Sequence, residues 1–262
     1  AMIIDFHAHC FDDRIAAAAL DKLEERARIR AAHDGTISGL LAHMAACGVD
    51  KSVVLPVATK PSQVKAINAW AMANRSDKLC FFSALHPDDP EWEDTLTRAK
   101  SDGFKGVKLH PDYQRFFADE PRLIPIYEAI RDLDLILVMH AGVDIGYPSP
   151  VGCTPLMLRR VIRNVPGLKL VAAHMGSHAL WRDVEEVLVG LPIFLDTSYS
   201  HYVLGDADMA RIISRHGAEN VLFGTDSPWK RADDEIARIR GLPLPASDIE
   251  LILSQNAERL LA

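Results

Sequence analysis

Two histidines, His7 and His9, flank Ala8 at the end of the apolar run Met2-Ile3-Ile4-Asp5-Phe6. Successive side chains on a strand face opposite sides, so these two imidazoles point the same way, close enough to share one cation. Taken alone the pair is weak evidence, because surface histidines and hydrogen-bonded core pairs are common. Residues of similar chemistry end four further apolar runs, in Lys108-Leu109-His110, Met139-His140-Ala141-Gly142, Ala173-His174-Met175-Gly176 and Gly224-Thr225-Asp226-Ser227. Singly, His140 and His174 read equally well as satisfied histidines at strand ends, and Asp226 as a turn residue before Ser227-Pro228. Independent core histidines have no reason to fall at equivalent points of a repeated unit, so together they predict a metal site.

The elements that must position these residues are legible as apolar runs of strand length at 2–6, 52–57, 79–85, 104–109, 135–139, 168–173, 193–195 and 220–224. Several are continuous aliphatic blocks, as expected of parallel strands covered on both faces. Helical patterns lie between them. Leu158, Val161, Ile162 and Val165 fall at i, i+3, i+4 and i+7, with Thr154-Pro155 supplying an N-cap and a proline at the first helical position. Ile124, Tyr127, Ala129 and Ile130 give a weaker apolar face.

Strands alternating with helices, without a linker that divides the chain, predict an α/β fold built of βα units and a single domain over 1–262. Eight units close a (β/α)8 TIM barrel; an open doubly wound sheet is the rival, and its GxGxxG fingerprint is missing. The segment from Phe11 to about Cys47, broken at His33-Asp34-Gly35-Thr36, reads as a helical insertion after the first strand. In such barrels the active site lies at the C-terminal ends of the strands, where the imidazoles and the carboxylate are found.

The 262 residues carry 48% hydrophobic and 25% charged side chains, an ordinary globular balance that argues against disorder. A net charge of −7 without a Lys/Arg run speaks against a nucleic-acid partner and for a small-molecule substrate. Four scattered cysteines, Cys10, Cys47, Cys80 and Cys153, suggest reduced thiols in the cytoplasm, with Cys10 a small apolar filler. No run is long enough to span a membrane, and the start lacks the pattern of a signal peptide. Ala1 ahead of Met2 reads as a remnant of an expression tag. The oligomeric state stays open, a homo-oligomer included.

The ordered set IIDFHAHC, GVKLHP, VMHAG, KLVAAHMG, LFGTDSPW and ILSQNAERLL resembles the amidohydrolase superfamily over essentially the full chain. Within it, the set is similar to the branch that holds aminocarboxymuconate semialdehyde decarboxylase and many TIM-barrel metal-dependent hydrolases. The resemblance implies one divalent metal on His7, His9, His140 and Asp226, with His174 beside the metal-bound water as base or proton shuttle. Such a set suits Zn²⁺, with other divalent ions as alternatives, and leaves a position for water or substrate. Asp226 can also accept a proton. Some branches place a carboxylated lysine between two metals at the position of Lys108. The HMG and GTDSP context resembles the mononuclear branch instead, in which Lys108 is buried toward the barrel interior or pairs its ammonium with a carboxylate, and His110 faces substrate.

Substrate contacts are assigned to His110, to Arg115, whose fork could grip a carboxylate, and to Tyr199 and Trp229. His178 and His201 are further candidates for lining the pocket. The loop 142–154, with Tyr147, Pro148 and Pro150, is placed as a lid over the strand ends. The first functional expectation is a hydrolase acting on an ester, lactone or amide through a metal-activated water. The alternative is a non-oxidative decarboxylase, a lyase that protonates carbon on the same metal site. A catalytically silent metal-stabilised binding protein is the reading from another class, and a nuclease a remote fourth.

Overall fold

The structure is a computed structural model that describes residues 2–262; Ala1, the residue read as a tag remnant, lies outside them. Nine strands follow one another along the described residues: β1 Ile4–Ala8, β2 Lys51–Val54, β3 Leu79–Phe81, β4 Ser83–Ala84, β5 Gly106–Leu109, β6 Ile136–Met139, β7 Lys169–Ala172, β8 Phe194–Asp196 and β9 Val221–Leu222. They match the eight predicted runs one for one, except that the third is broken at Phe82 into β3 and β4. Helices separate all but β3 and β4 in sequence, and β1 pairs parallel with β2, as do the neighbours from β4 to β8. Among the described residues no helix is long and apolar enough to cross a membrane. By contact density the chain falls into two compact units. One comprises the chain up to Val54, Ser76–Cys80 and Asp196–Ala262; the other comprises Leu55–Arg75 and Phe81–Leu195.

In the first unit β1 pairs with β2, Ile4 opposite Lys51 and Asp5 opposite Ser52, and the register shifts before Ala8 meets Val54. On the other side of β1, Phe6 N donates to Phe223 O at 2.7 Å, just past β9. Every residue of β1 is buried, the continuous pattern of a strand covered on both faces. The predicted insertion is two helices, Ala16–Ala27 and Ile37–Cys47. The second is framed by its own sequence. Thr36 Oγ1 accepts from Gly39 N at 2.9 Å at its start, and Gly48, at φ +75°, closes it in the left-handed conformation that glycine adopts at low cost. The C-terminal segment runs through Ala246–Glu250, a π-helical turn and Asn256–Leu261. There the buried Asn256 donates to Ala218 O and Val221 O, at 2.7 and 2.8 Å, and so holds the start of β9.

In the second unit β4 to β8 lie side by side in simple register, Gly106–Leu109 opposite Ile136–Met139 and those opposite Lys169–Ala172. β5 and β6 are wholly buried, as their aliphatic sequences predict. The helix Pro155–Asn164 begins where Thr154-Pro155 predicts it, with Thr154 Oγ1 accepting from Met157 N and Leu158 and Val161 buried. The helix Ile124–Asp132 buries Ile126, Tyr127 and Ile130.

Candidate metal centre and its surroundings

The first unit gathers His7, His9 and Asp226, whose ligand atoms all lie within 4.8 Å of one another. The period of the strand puts both imidazoles on one side, with ring centroids 5.1 Å apart. Backbone bonds bring the carboxylate to them, since Asp226 N donates to His7 O at 2.8 Å and His9 N to Ser227 O at 2.6 Å. Asp226 stands at φ +63°, a left-handed conformation that a non-glycine residue holds only when its surroundings enforce it. Asp5 does part of that enforcing. Its Oδ1 accepts from His7 N and Thr225 N, both at 3.0 Å, and its Oδ2 from Thr225 Oγ1 at 2.6 Å. Burial pushes the Asp5 carboxyl up to about 7, against the pull of these hydrogen bonds.

The wiring of His7 shows what the cluster can hold. Its Nδ1 lies 2.8 Å from Asp196 Oδ2; a carboxylate only accepts, so Nδ1 carries the proton. In the neutral ring Nε2 then has a lone pair, and that atom lies 3.3 Å from Asp226 Oδ1. His9 Nε2 lies 3.1 Å from the same oxygen. Two electron-pair donors facing each other at that range call for a positive centre between them, a proton or a metal ion. Imidazole and carboxylate donors fit a divalent cation such as zinc or manganese.

The second unit holds another group, His110, His140 and Asp144, within the same 4.8 Å limit. His110 is stacked between Tyr113, at 3.7 Å, and His140, at 4.0 Å. Its Nδ1 accepts from Tyr113 N at 3.4 Å, which leaves the proton on Nε2, 3.4 Å from Asp144 Oδ2. Burial holds the His110 imidazole down at about 4 despite Asp144, so the ring is neutral at pH 7. With Nε2 protonated it has no lone pair for a cation there, and the two His/His/Asp groups differ in this respect. Burial also pushes Asp144 up, but the hydrogen bond and charge of His110 outweigh it and leave the carboxyl below its ordinary value. Asp112, whose Oδ2 lies 3.5 Å from His140 Nε2, is pushed up to about 6, chiefly by burial.

His140 Nδ1 and His174 Nε2 are 3.0 Å apart, so one of them carries the shared proton. His174 and Met175 stand at φ +60° and +54°, and Trp181 Nε1 donates to His174 O at 3.0 Å. Backbone held in this region by a side chain from the next helix keeps the imidazole aimed at His140.

The remaining predicted residues are placed as follows. Lys108 is 1% exposed in β5, buried as expected. Arg115 is exposed in a left-handed conformation at the end of the helix Pro111–Gln114. In the first unit Tyr199 is buried, at φ +50°, with Lys230 Nζ 4.8 Å from its ring, and the half-buried Trp229 donates its N to Asp226 O at 2.9 Å. His178 and His201 are both buried, and His201 Nδ1 meets Glu235 Oε2 at 2.8 Å. Sequence reasoning missed Asp5, Asp112, Asp144, Asp196 and Gln114. Asp196 ends its strand in Leu195-Asp196-Thr197-Ser198, the same signal that singled out the histidines. Gln114 has no such mark, yet its Nε2 donates to Ala58 O and Leu85 O, at 2.8 and 2.7 Å, while its Oε1 accepts from His110 N at 2.9 Å.

Known structures share this architecture. An uncharacterised TIM-barrel protein of Bordetella bronchiseptica superposes with a TM-score of 0.78 at 22% identity, over 100% of this chain and 98% of that one. The 5-carboxyvanillate decarboxylase of Sphingomonas paucimobilis follows at 0.72 and 20%, over 99% and 98%. A 5-carboxyvanillate decarboxylase of Novosphingobium aromaticivorans, complexed with manganese and 4-hydroxy-3-methoxy-5-nitrobenzoic acid, gives 0.74 and 17%, over 99% and 96%. The fold is therefore the TIM barrel, with imidazoles and a carboxylate at the ends of its strands. Residues 4–262 match the amidohydrolase family, and the chain belongs to it. No curated protein matches.

Proposed function

We propose that the protein is a metal-dependent decarboxylase of a small aromatic carboxylate. The observation that carries the metal centre is His7, whose Nδ1 is engaged by Asp196 while its Nε2 faces Asp226 Oδ1 together with that of His9. The decarboxylase reading is supported by the fold shared with two 5-carboxyvanillate decarboxylases over nearly the whole chain. His140 is proposed as the fourth ligand and His174 as the proton carrier, with residues 1–262 acting as one domain. Manganese, bound in one of the similar structures, is the first ion to test and zinc the second. When bound, the cation supplies a Lewis acid that polarises a substrate oxygen.

The residues do the rest. His140, donating its Nδ1–H to His174 Nε2, keeps its own Nε2 lone pair for ligation and sets the His174 tautomer. The bond from the ring carbon to the carboxylate breaks, CO₂ leaves, and the electron pair stays on carbon. His174 delivers a proton to that carbon and recovers one from water. His110, Tyr199 and Trp229 are proposed to contact the substrate and Arg115 to attract its carboxylate; Lys108 stays a buried amine rather than a bridge between two metals. None of the four cysteines is in a disulfide, in keeping with the cytoplasmic location proposed here.

The test is CO₂ release from a panel of hydroxybenzoates and methoxybenzoates by manganese-loaded protein, beside acid release from lactones, esters and amides. CO₂ from at least one carboxylate is expected. His174→Ala is expected to keep its metal and lose turnover by roughly 10²–10⁴-fold. Acid release without CO₂ would replace decarboxylation by hydrolysis, the second reading, which the match to the amidohydrolase family supports. Full turnover by His174→Ala would remove that residue as proton carrier.

A further inference from the structure

We propose that Asp196 is the positioning residue of the metal centre, setting which nitrogen of His7 is left to bind the cation; this rests on the metal reading above. Asp196 and His7 are both buried, with side chains 0% and 1% exposed, and meet at 2.8 Å. The carboxylate is itself held on its other oxygen. Asp196 Oδ1 accepts from Ser198 N at 3.1 Å and from Ser198 Oγ at 2.5 Å, which turns Oδ2 toward His7.

Ser198 Oγ also lies 3.1 Å from His7 Nδ1, so it competes for the same proton. The charged oxygen wins on two counts. It is closer, and a charge-assisted bond is roughly twice as strong as a neutral one. Ser198 has moreover committed its own proton to Asp196, so it buttresses the carboxylate more than it replaces it. The result is a chain from carboxylate to imidazole to cation site that locks the ring rotation, makes Nε2 the donor and raises its basicity. The buried negative charge of Asp196 is in turn offset once a cation is bound on the far side of the ring.

The proposal has a readout that needs no turnover. In ¹⁵N-labelled, Zn²⁺-loaded wild-type protein, two-bond ¹H–¹⁵N correlations assigned to His7 through its loss in His7→Gln should show the proton on Nδ1 and none on Nε2. An Nε2–H tautomer would overturn the assignment, whatever the variants do. The second readout is the Mn²⁺ dissociation constant, by competition with a fluorescent chelator. Asp196→Asn should weaken it about 10–100-fold, the usual cost of losing such a partner, and Ser198→Ala less than about threefold. Unchanged Mn²⁺ affinity in a folded Asp196→Asn protein overturns the role of Asp196 while leaving the metal site standing. Wild-type protein that binds neither Mn²⁺ nor Zn²⁺ overturns the metal reading itself, and the role of Asp196 with it.

Discussion

Replacing Asp5 with asparagine should flatten the pH dependence of stability. Asp5 is 2% exposed and, chiefly through burial, its carboxyl is raised from 3.8 to about 7. A folded-state value above the unfolded one means that the native protein holds a proton the unfolded chain releases. The stability this contributes is complete below pH 3.8, declines as the pH rises, and is gone above about 7. A carboxyl raised from 3.8 to about 7, at about 1.36 kcal/mol per tenfold change in proton affinity, gives roughly 4 kcal/mol between the two limits. Such a loss is large against a typical domain stability of 5–15 kcal/mol. Asparagine cannot ionise. Its carbonyl can still accept from His7 N and Thr225 N, and its amide faces Thr225 Oγ1. Urea unfolding of both chelator-treated proteins from pH 4 to pH 8 measures the difference. The stability of Asp5→Asn relative to wild type should climb by about 4 kcal/mol across that range, most of it below pH 7. A difference constant to within about 1 kcal/mol would show that Asp5 is ionised throughout, and the account of its burial would be wrong.

Substitutions at two positions, Gln114 and Gly142, probe how the strand ends are tied in the second unit. Gln114→Ala leaves the buried Ala58 O, Leu85 O and His110 N without the partners that bind them, and should cost about 3 kcal/mol or more in urea unfolding. Gln114→Glu, which points an acceptor at two carbonyls, should be no better at pH 8. Gly142 stands at φ +88° and a Cβ there would lie 2.0 Å from His178 N, so Gly142→Ala should cost at least about 3 kcal/mol. Gly48→Ala is the control: it shares the positive φ, +75°, but its Cβ would meet nothing within 4 Å. It should cost only about 1–2 kcal/mol, and equal thermal shifts in the two would refute the steric argument.

The periodicity and order of the sequence were enough to place all eight strand runs, the insertion after β1 and the helix Pro155–Asn164. Strands covered on both faces must be continuously apolar, and a capped helix announces its own start, so these signals are local. The common side of His7 and His9 was legible for the same reason. What the sequence could not show is which atoms meet. His7 and Asp196 are 189 residues apart, and only their contact decides which imidazole nitrogen keeps its lone pair. His110 looks like the equal of His7 in sequence, yet an amide three residues on donates to its Nδ1, leaves the ring proton on Nε2 and makes that nitrogen a poor ligand. The ties made by Gln114 likewise arise from distant backbone groups that must be satisfied where they are buried. The chain's own pattern thus determined where the donors stand, and the folded contacts alone decided their protonation and aim, because a hydrogen bond depends on distance and direction in space and not on separation along the chain.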